Sequence, residues 1–325
     1  MKATLLDAGS LHLADLNISP LQNAVTTLDS FEYSPPDTLP GRLLDTDIAL
    51  TNKVPLDQHV LSRLPHLKLI VVLATGVNNI DLEAARRQKI AVCNNVDYAT
   101  NSLVEHTLAL MLALARHLPY YQQTVQQGVW QRSTQFCLLD QPLIGLAGKK
   151  LGIIGAGNSG RAVAKVARAM GMKTAALQSF SAETQQEAAL PREGLTTLLA
   201  TSDVISIHCP LSDQTRNLID EAELQLMKRG ALLINTSRGG IVNERALARA
   251  LSKGQLGGAA TDVLTEEPPR NGNPLLSLKH PNLIITPHNA WGSRESRQAL
   301  IAQSAEIIQA FQAGNLINCV NGPLT

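Results

Sequence analysis

Short apolar runs recur along the chain, separated by stretches whose apolar residues fall at helical spacing. Before residue 100 the runs lie at 3–7, 48–50, 69–73 and 91–93. From residue 151 they lie at 151–154, 174–177, 204–207, 231–235, 258–262 and 283–286. Continuous apolar runs of this length, bounded by polar or glycine-containing turns, predict strands covered on both faces. Between them, 56–64, 81–88 and 161–170 carry helical patterns. The alternation of strand and helix predicts an α/β fold with mostly parallel sheets.

Two longer helices stand out. In 102–117 the apolar positions are 103, 104, 108, 110, 111, 112 and 114. That helix is apolar around most of its girth, which predicts burial between elements or subunits. A second helix, 293–313, follows the last strand. The two helices are natural crossings that divide the chain into a first domain, 1–99 with 293–325, and a second domain, 100–292. No internal repeat of 20–50 residues is visible.

Bulk composition narrows the function classes. The chain has 325 residues, 44% of them hydrophobic, and a net charge of +1 from 28 basic and 27 acidic residues. That balance argues against a nucleic-acid or membrane-surface partner. No apolar run reaches the length of a membrane span. The start, MKATLLDAGSLHLADL, has no extended apolar core of a secretory signal, so a cytoplasmic location is expected. Cys93, Cys137, Cys209 and Cys319 are far apart in sequence and form no C-x-x-C pair. Reduced, mostly buried thiols are expected, with no metal site and no disulfide framework.

Candidate chemistry begins at LGIIGAGNSG, 151–160, where a strand runs through a tight turn into a helix. Gly155, Gly157 and Gly160 fit a dinucleotide fingerprint. Gly155 permits the turn, Gly157 lets the backbone approach a pyrophosphate, and Gly160 allows close packing of helix on strand. The helix N-terminus offers unpaired N–H groups to the phosphates.

Each later strand ends in a polar cluster, where open α/β sheets bind ligands. These are His208-Cys209-Pro210, Asn235-Thr236-Ser237-Arg238-Gly239-Gly240, Thr261-Asp262 with Glu266-Glu267-Pro268-Pro269, and Thr286-Pro287-His288-Asn289-Ala290-Trp291. An arginine, an acid and a histidine thus occupy equivalent positions on separate strands. A guanidinium can hold the carboxylate of a 2-oxo acid and polarise its ketone. A histidine can give a proton to the oxygen that gains charge, and a nearby carboxylate stabilises the imidazolium.

These residues make the chain similar to the D-isomer-specific 2-hydroxyacid dehydrogenases. The N-terminal Ala74-Thr75-Gly76-Val77-Asn78-Asn79-Ile80-Asp81, Val129-Trp130, Phe136-Cys137 and Leu146-Ala147-Gly148-Lys149 also fit. The resemblance runs from about residue 43 onward and is closest to the glycerate dehydrogenase, or hydroxypyruvate reductase, branch. It implies a Rossmann dinucleotide-binding domain inserted in a flavodoxin-like substrate domain, both doubly wound parallel sheets. It implies a homodimer acting on a small 2-oxo acid. Arg238, Glu267 and His288 would be catalytic. Thr75, Gly76 and Val77 would hold the substrate carboxylate, with Arg238, His288 and Trp291 also at the substrate. The cofactor would meet Thr107, Gly155, Ala156, Gly157, Asn158, Ser159, Gly160, Gln178, Ser179, His208, Cys209, Pro210, Asn235, Thr236, Ser237, Asp262 and His288.

One position departs from the pattern. The second strand of the nucleotide domain should end in an acid that binds the adenosine ribose. Here Gln178-Ser179 follows Leu177. The cofactor expectation is therefore NAD(H), with NADP(H) also admitted; no arginine is near in sequence, the next being Arg192. Phosphoglycerate- and lactate-type dehydrogenases, and an NAD-sensing corepressor-like binding protein, are the alternatives.

Overall fold

The computed structural model describes residues 1–178 and 190–322. They fall into two compact units, Met1–Ala99 with Trp291–Thr325, and Thr100–Ala290.

The first unit is built on five strands: β1 (Lys2–Leu5), β2 (Thr27–Ser30), β3 (Ile48–Thr51), β4 (Leu69–Val72) and β5 (Ala91–Asn94). They pair in the order β2-β1-β3-β4-β5, all parallel. That is the flavodoxin-like order. Every residue of β3, β4 and β5 is buried, as the unbroken apolar runs require. Alternate residues feed two separate cores. Leu5, Leu50 and Leu69 pack on one face with Leu300, Ile301 and Ile308 of the helix Arg294–Gln312. Ala49, Ile70 and Val92 pack on the other with Leu39, Leu61 and Ala85. The sequence pattern does not predict β2, whose residues, Thr-Leu-Asp-Ser, are exposed or half-buried at the sheet edge.

The opposite edge is covered by the C-terminal tail. Asn94 N donates to Asn318 O (3.1 Å) and Val320 N to Val92 O (2.8 Å). Asn321 reaches further along β5, accepting from Val92 N (3.0 Å) and donating to Ile90 O (2.8 Å). The edge strand therefore presents no open row of backbone groups on this stretch.

The second unit holds β6 (Lys150–Ile154), β7 (Lys173–Leu177), β8 (Arg192–Glu193), β9 (Val204–Ile207), β10 (Ala231–Asn235), β11 (Leu256–Thr261) and β12 (Leu283–Ile285). The order is β12-β11-β10-β9-β6-β7-β8, all parallel. The chain runs outward from β6 in one direction through β8, then returns to β9 and runs outward the other way. The switch point lies between β6 and β9, where doubly wound sheets bind their ligands. The two-residue β8 is too short to leave a pattern in the sequence.

The expected helix 102–117 is Thr100–Ala115, followed by Leu118–Gln126. The break falls at His117, whose φ of 50° is left-handed. Within the single chain one side of this helix is covered. Val104, Thr107, Leu110, Met111 and Leu114 are buried, whereas Leu112 is 39% exposed. The helix after the fingerprint starts at Asn158, three residues before the apolar pattern begins, because Gly157 serves as its N-cap.

Candidate active site

The fingerprint glycines occupy three different environments. Gly155 has φ 99°, and a Cβ there would lie 2.4 Å from Cys209 N. The turn thus passes directly against the end of β9, and His208 N donates to Ile154 O (2.7 Å). A Cβ on Gly160 would lie 2.1 Å from Gly155 O, so only glycine lets the helix sit this close to the turn. A Cβ on Gly157 would meet nothing within 4 Å. Open space at the N-terminus of the helix Asn158–Ala169 is what an approaching pyrophosphate requires, so the residues present fit a dinucleotide. Around the turn, Arg161 donates to Ala156 O (3.0 Å) and to Asn158 Oδ1 (2.7 Å), and Ser159 is half-buried.

Beyond β10, Asn235 shapes the loop that carries Arg238. Its Oδ1 accepts from Ser237 N (3.1 Å) and Ser237 Oγ (2.9 Å), while its Nδ2 donates to Arg238 O (2.9 Å). Thr236 Oγ1 lies 3.0 Å from Thr107 Oγ1, which also donates to Leu103 O. Two expected cofactor residues from distant segments, Thr107 and Thr236, are therefore joined. Arg238 is half-buried, and its Nη1 donates to Ser237 O (2.7 Å).

Gly239 then brings two loops together. A Cβ there would fall 1.9 Å from Leu264 O. Leu264 N in turn donates to Glu267 Oε1 (2.7 Å). The other carboxylate oxygen, Oε2, is 2.5 Å from His288 Nδ1. The peptide bond Glu267–Pro268 is cis. Glu267, not Glu266, is the residue paired with the histidine; Glu266 accepts from Asn271 Nδ2 (2.9 Å).

Asp262 is 1% exposed. Its Oδ1 accepts from Thr286 Oγ1 (2.5 Å) and Asn289 N (3.0 Å), and its Oδ2 from Ala290 N (2.9 Å). Its backbone oxygen accepts from His288 N (2.8 Å). His106 Nε2 reaches Thr286 Oγ1 (3.0 Å) and lies 3.7 Å from Asp262 Oδ1. Asp262, expected at the cofactor, thus also binds the segment that carries His288. Thr286 and His106 belong to this clamp, and no local motif assigns them to it.

His208 is held by Ser206 Oγ (2.8 Å from Nε2), and burial pushes its imidazole down to about 4. That shift favours the neutral imidazole near pH 7. Burial likewise pushes the Cys209 thiol up to about 11. Pro210 is exposed. Gln178 is exposed at the end of β7, and its N donates to Glu193 O (2.9 Å). Ser179 lies outside the described residues. Arg192 is nearer than its place in the sequence suggested. β8 runs beside β7, and Arg192 Nη1 donates to Leu177 O (3.0 Å), next to Gln178. The Arg192 Nε is buried without a hydrogen-bond partner among the described residues.

Thr75, Gly76, Val77 and Trp291 belong to the first unit. There Asn94 Nδ2 donates to Thr75 O (2.7 Å), and Asn95 N to Ala74 O (3.2 Å), so β5 holds the 74–77 loop. Trp291 meets Tyr98 edge-on at 6.3 Å. Asp7 at the end of β1 takes Asn52 N (2.9 Å) and Lys53 N (2.7 Å) on its two oxygens. The 52–53 turn is thereby fixed at the ends of the strands, a role signalled only by an acid after an apolar run.

The family profile for the NAD binding domain of D-isomer specific 2-hydroxyacid dehydrogenases matches residues 108–290. A glycerate dehydrogenase from Methylorubrum extorquens is 45% identical over 288 residues, covering 88% of each chain. A hydroxypyruvate reductase from Blautia hydrogenotrophica is 35% identical, over 99% of this chain and 100% of the other. Among solved structures, a protein from Thermus thermophilus superposes with a TM-score of 0.85 at 32% identity, covering 98% of this chain and 100% of the other. The chain belongs to the D-isomer specific 2-hydroxyacid dehydrogenase family, oxidoreductases that act on the CH–OH group of donors.

The lowered His208 imidazole generates a pH prediction. In the unfolded chain its imidazole takes up a proton below about 6.5, but in the folded chain only near 4. Protonation therefore favours unfolding, and stability is lost as pH falls through that window. Urea midpoints measured between pH 7 and pH 4 should fall less for His208→Asn than for the unsubstituted chain. Parallel curves would remove His208 as the cause.

Proposed function

We propose that the chain reduces a small 2-oxo acid, hydroxypyruvate or glyoxylate, to the D-2-hydroxy acid, D-glycerate or glycolate. The observation that carries this reading is the His288 Nδ1–Glu267 Oε2 pair, 2.5 Å apart, with the second carboxylate oxygen anchored on Leu264 N. Such a pair orients an imidazole for proton transfer. The names of the relatives supply the substrate class.

The nicotinamide cofactor, when bound, supplies the hydride. Arg238 takes the substrate carboxylate and the oxo oxygen on its planar fork of donors. Glu267 holds Nδ1 of His288, which makes Nε2 the nitrogen that delivers the proton to that oxygen. In the oxidative direction the same nitrogen takes the proton back. Asp262 acts by fixing the turn on which His288 stands.

The cofactor site is assigned to NAD(H) with NADP(H) accepted as well. Gln178 replaces the acid that would repel a 2′-phosphate. Arg192, on the neighbouring strand, adds a guanidinium beside the end of β7. A homodimer through the second unit is also proposed. Leu112, Leu118, Val125, Val129, Trp130, Phe136 and Leu139 are all exposed, and so many apolar side chains from neighbouring segments mark an interaction surface.

Each assignment has a direct measurement. Purified protein should oxidise NAD(P)H with hydroxypyruvate or glyoxylate; binding of cofactor without turnover on any 2-oxo acid would favour a sensor. His288→Ala should lower kcat by at least ~10²-fold. Arg238→Lys should be strongly impaired despite keeping its charge, and wild-type kinetics would refute the bidentate contact. The kcat/KM values for NADH and NADPH should lie within ~100-fold of each other, or about 2.7 kcal/mol. Arg192→Gln should weaken NADPH binding and leave NADH binding intact; equal losses for both would point to a structural role. Light scattering should give the mass of two chains, and a monomer would dismiss the dimer.

A further inference from the structure

Far apart in sequence, Cys93 and Cys319 stand opposite each other in space. Cys93 is fully buried in β5, and Cys319 is its partner across the antiparallel bridge made by the tail. The flanking hydrogen bonds, Asn94 N to Asn318 O and Val320 N to Val92 O, bracket the pair without joining it. This is the non-hydrogen-bonded position of an antiparallel ladder, where facing Cα atoms are about 4.5 Å apart and side chains leave on the same face. A disulfide accepts Cα separations of roughly 4.4–6.8 Å.

The two thiols differ in access. Burial, together with a smaller contribution from the facing Cys319 thiol, pushes the Cys93 thiol up to about 12. Cys319 is half-buried, with Asn321 Oδ1 at 3.4 Å and Gly322 O at 3.5 Å. A reagent in solution therefore meets Cys319 first, and Cys93 waits behind it. Cys137 and Cys209 lie in the other unit.

We propose that Cys93 and Cys319 form a thiol–disulfide site, which a low-molecular-weight disulfide oxidises to an intramolecular bond fastening the tail to β5. The Cys319 sulfur gives up its proton and attacks one sulfur of the reagent. The reagent's S–S bond breaks, and one half leaves and takes up a proton as a thiol. The Cys93 sulfur then gives up its proton and attacks the Cys319 sulfur, releasing the second half as a thiol. Two protein thiols lose two electrons and two protons, and one reagent disulfide becomes two thiols. The new bond closes a long stretch of chain, which restricts the unfolded state. It also fastens β5, whose Asn94, with Asn95 just beyond the strand, holds the 74–77 loop.

The test uses the fully reduced chain incubated with glutathione disulfide, then denatured, alkylated, digested and mapped by mass spectrometry. The expected product is a peptide pair linked through residues 93 and 319, with Cys137 and Cys209 unlinked, and reversal by dithiothreitol. The oxidised form should unfold at a higher temperature than the reduced form. Cys319→Ser should abolish the link, while Cys93→Ser should leave Cys319 carrying glutathione. A wild-type product with glutathione on Cys319 and Cys93 still alkylated would overturn the proposal. So would a link between two chains, two unreacted thiols at 93 and 319, or an oxidised form that unfolds no higher.

Discussion

The site depends on one buried carboxylate. Asp262 stands at the end of β11, and both of its oxygens accept hydrogen bonds from the 286–290 segment. A carboxylate cannot be left in an apolar interior without such donors. Its placement therefore fixes the segment, and the segment carries His288 in a left-handed conformation, φ 52°. A non-glycine residue adopts that conformation at a cost of about 1–2 kcal/mol. The surrounding hydrogen bonds hold it there. Asp262 thus fixes the turn on which His288 stands, and Glu267 holds the imidazole itself.

A similar division of labour recurs across the second unit. Gly239 has no side chain, and its absence lets Leu264 approach. Leu264 N positions Glu267, and Glu267 positions His288. Asn235 shapes the Arg238 loop, while Thr107 ties it to the helix Thr100–Ala115. Each group expected to do chemistry rests on a neighbour that supplies only geometry. Preorganisation of this kind is what proton transfer and carboxylate binding require.

Much of this was legible in the sequence, for identifiable reasons. The central strands are buried on both faces, so they read as unbroken apolar runs. The polar residues that follow them mark the ligand-binding ends of the sheet. The edge strands β2 and β8 were not legible, since one is mostly polar and the other has two residues. Which side of Thr100–Ala115 packs within its own chain was not legible, because its outer face is also apolar. Strand pairing brings Arg192 beside the end of β7, which distance along the chain does not reveal. The clamp at Asp262 draws on residues from 106 to 290, a span that no local motif covers.

The way the first unit is closed has a consequence for the order in which the chain can be completed. Its sheet comes from residues before 100, but one face is covered by Leu300, Ile301, Ala305, Ile307 and Ile308. During synthesis those residues emerge after the whole of Thr100–Ala290 has been made. The second unit has all its strands in hand before the first can bury Leu5, Leu50 and Leu69. The domain begun first at the ribosome is the one finished last.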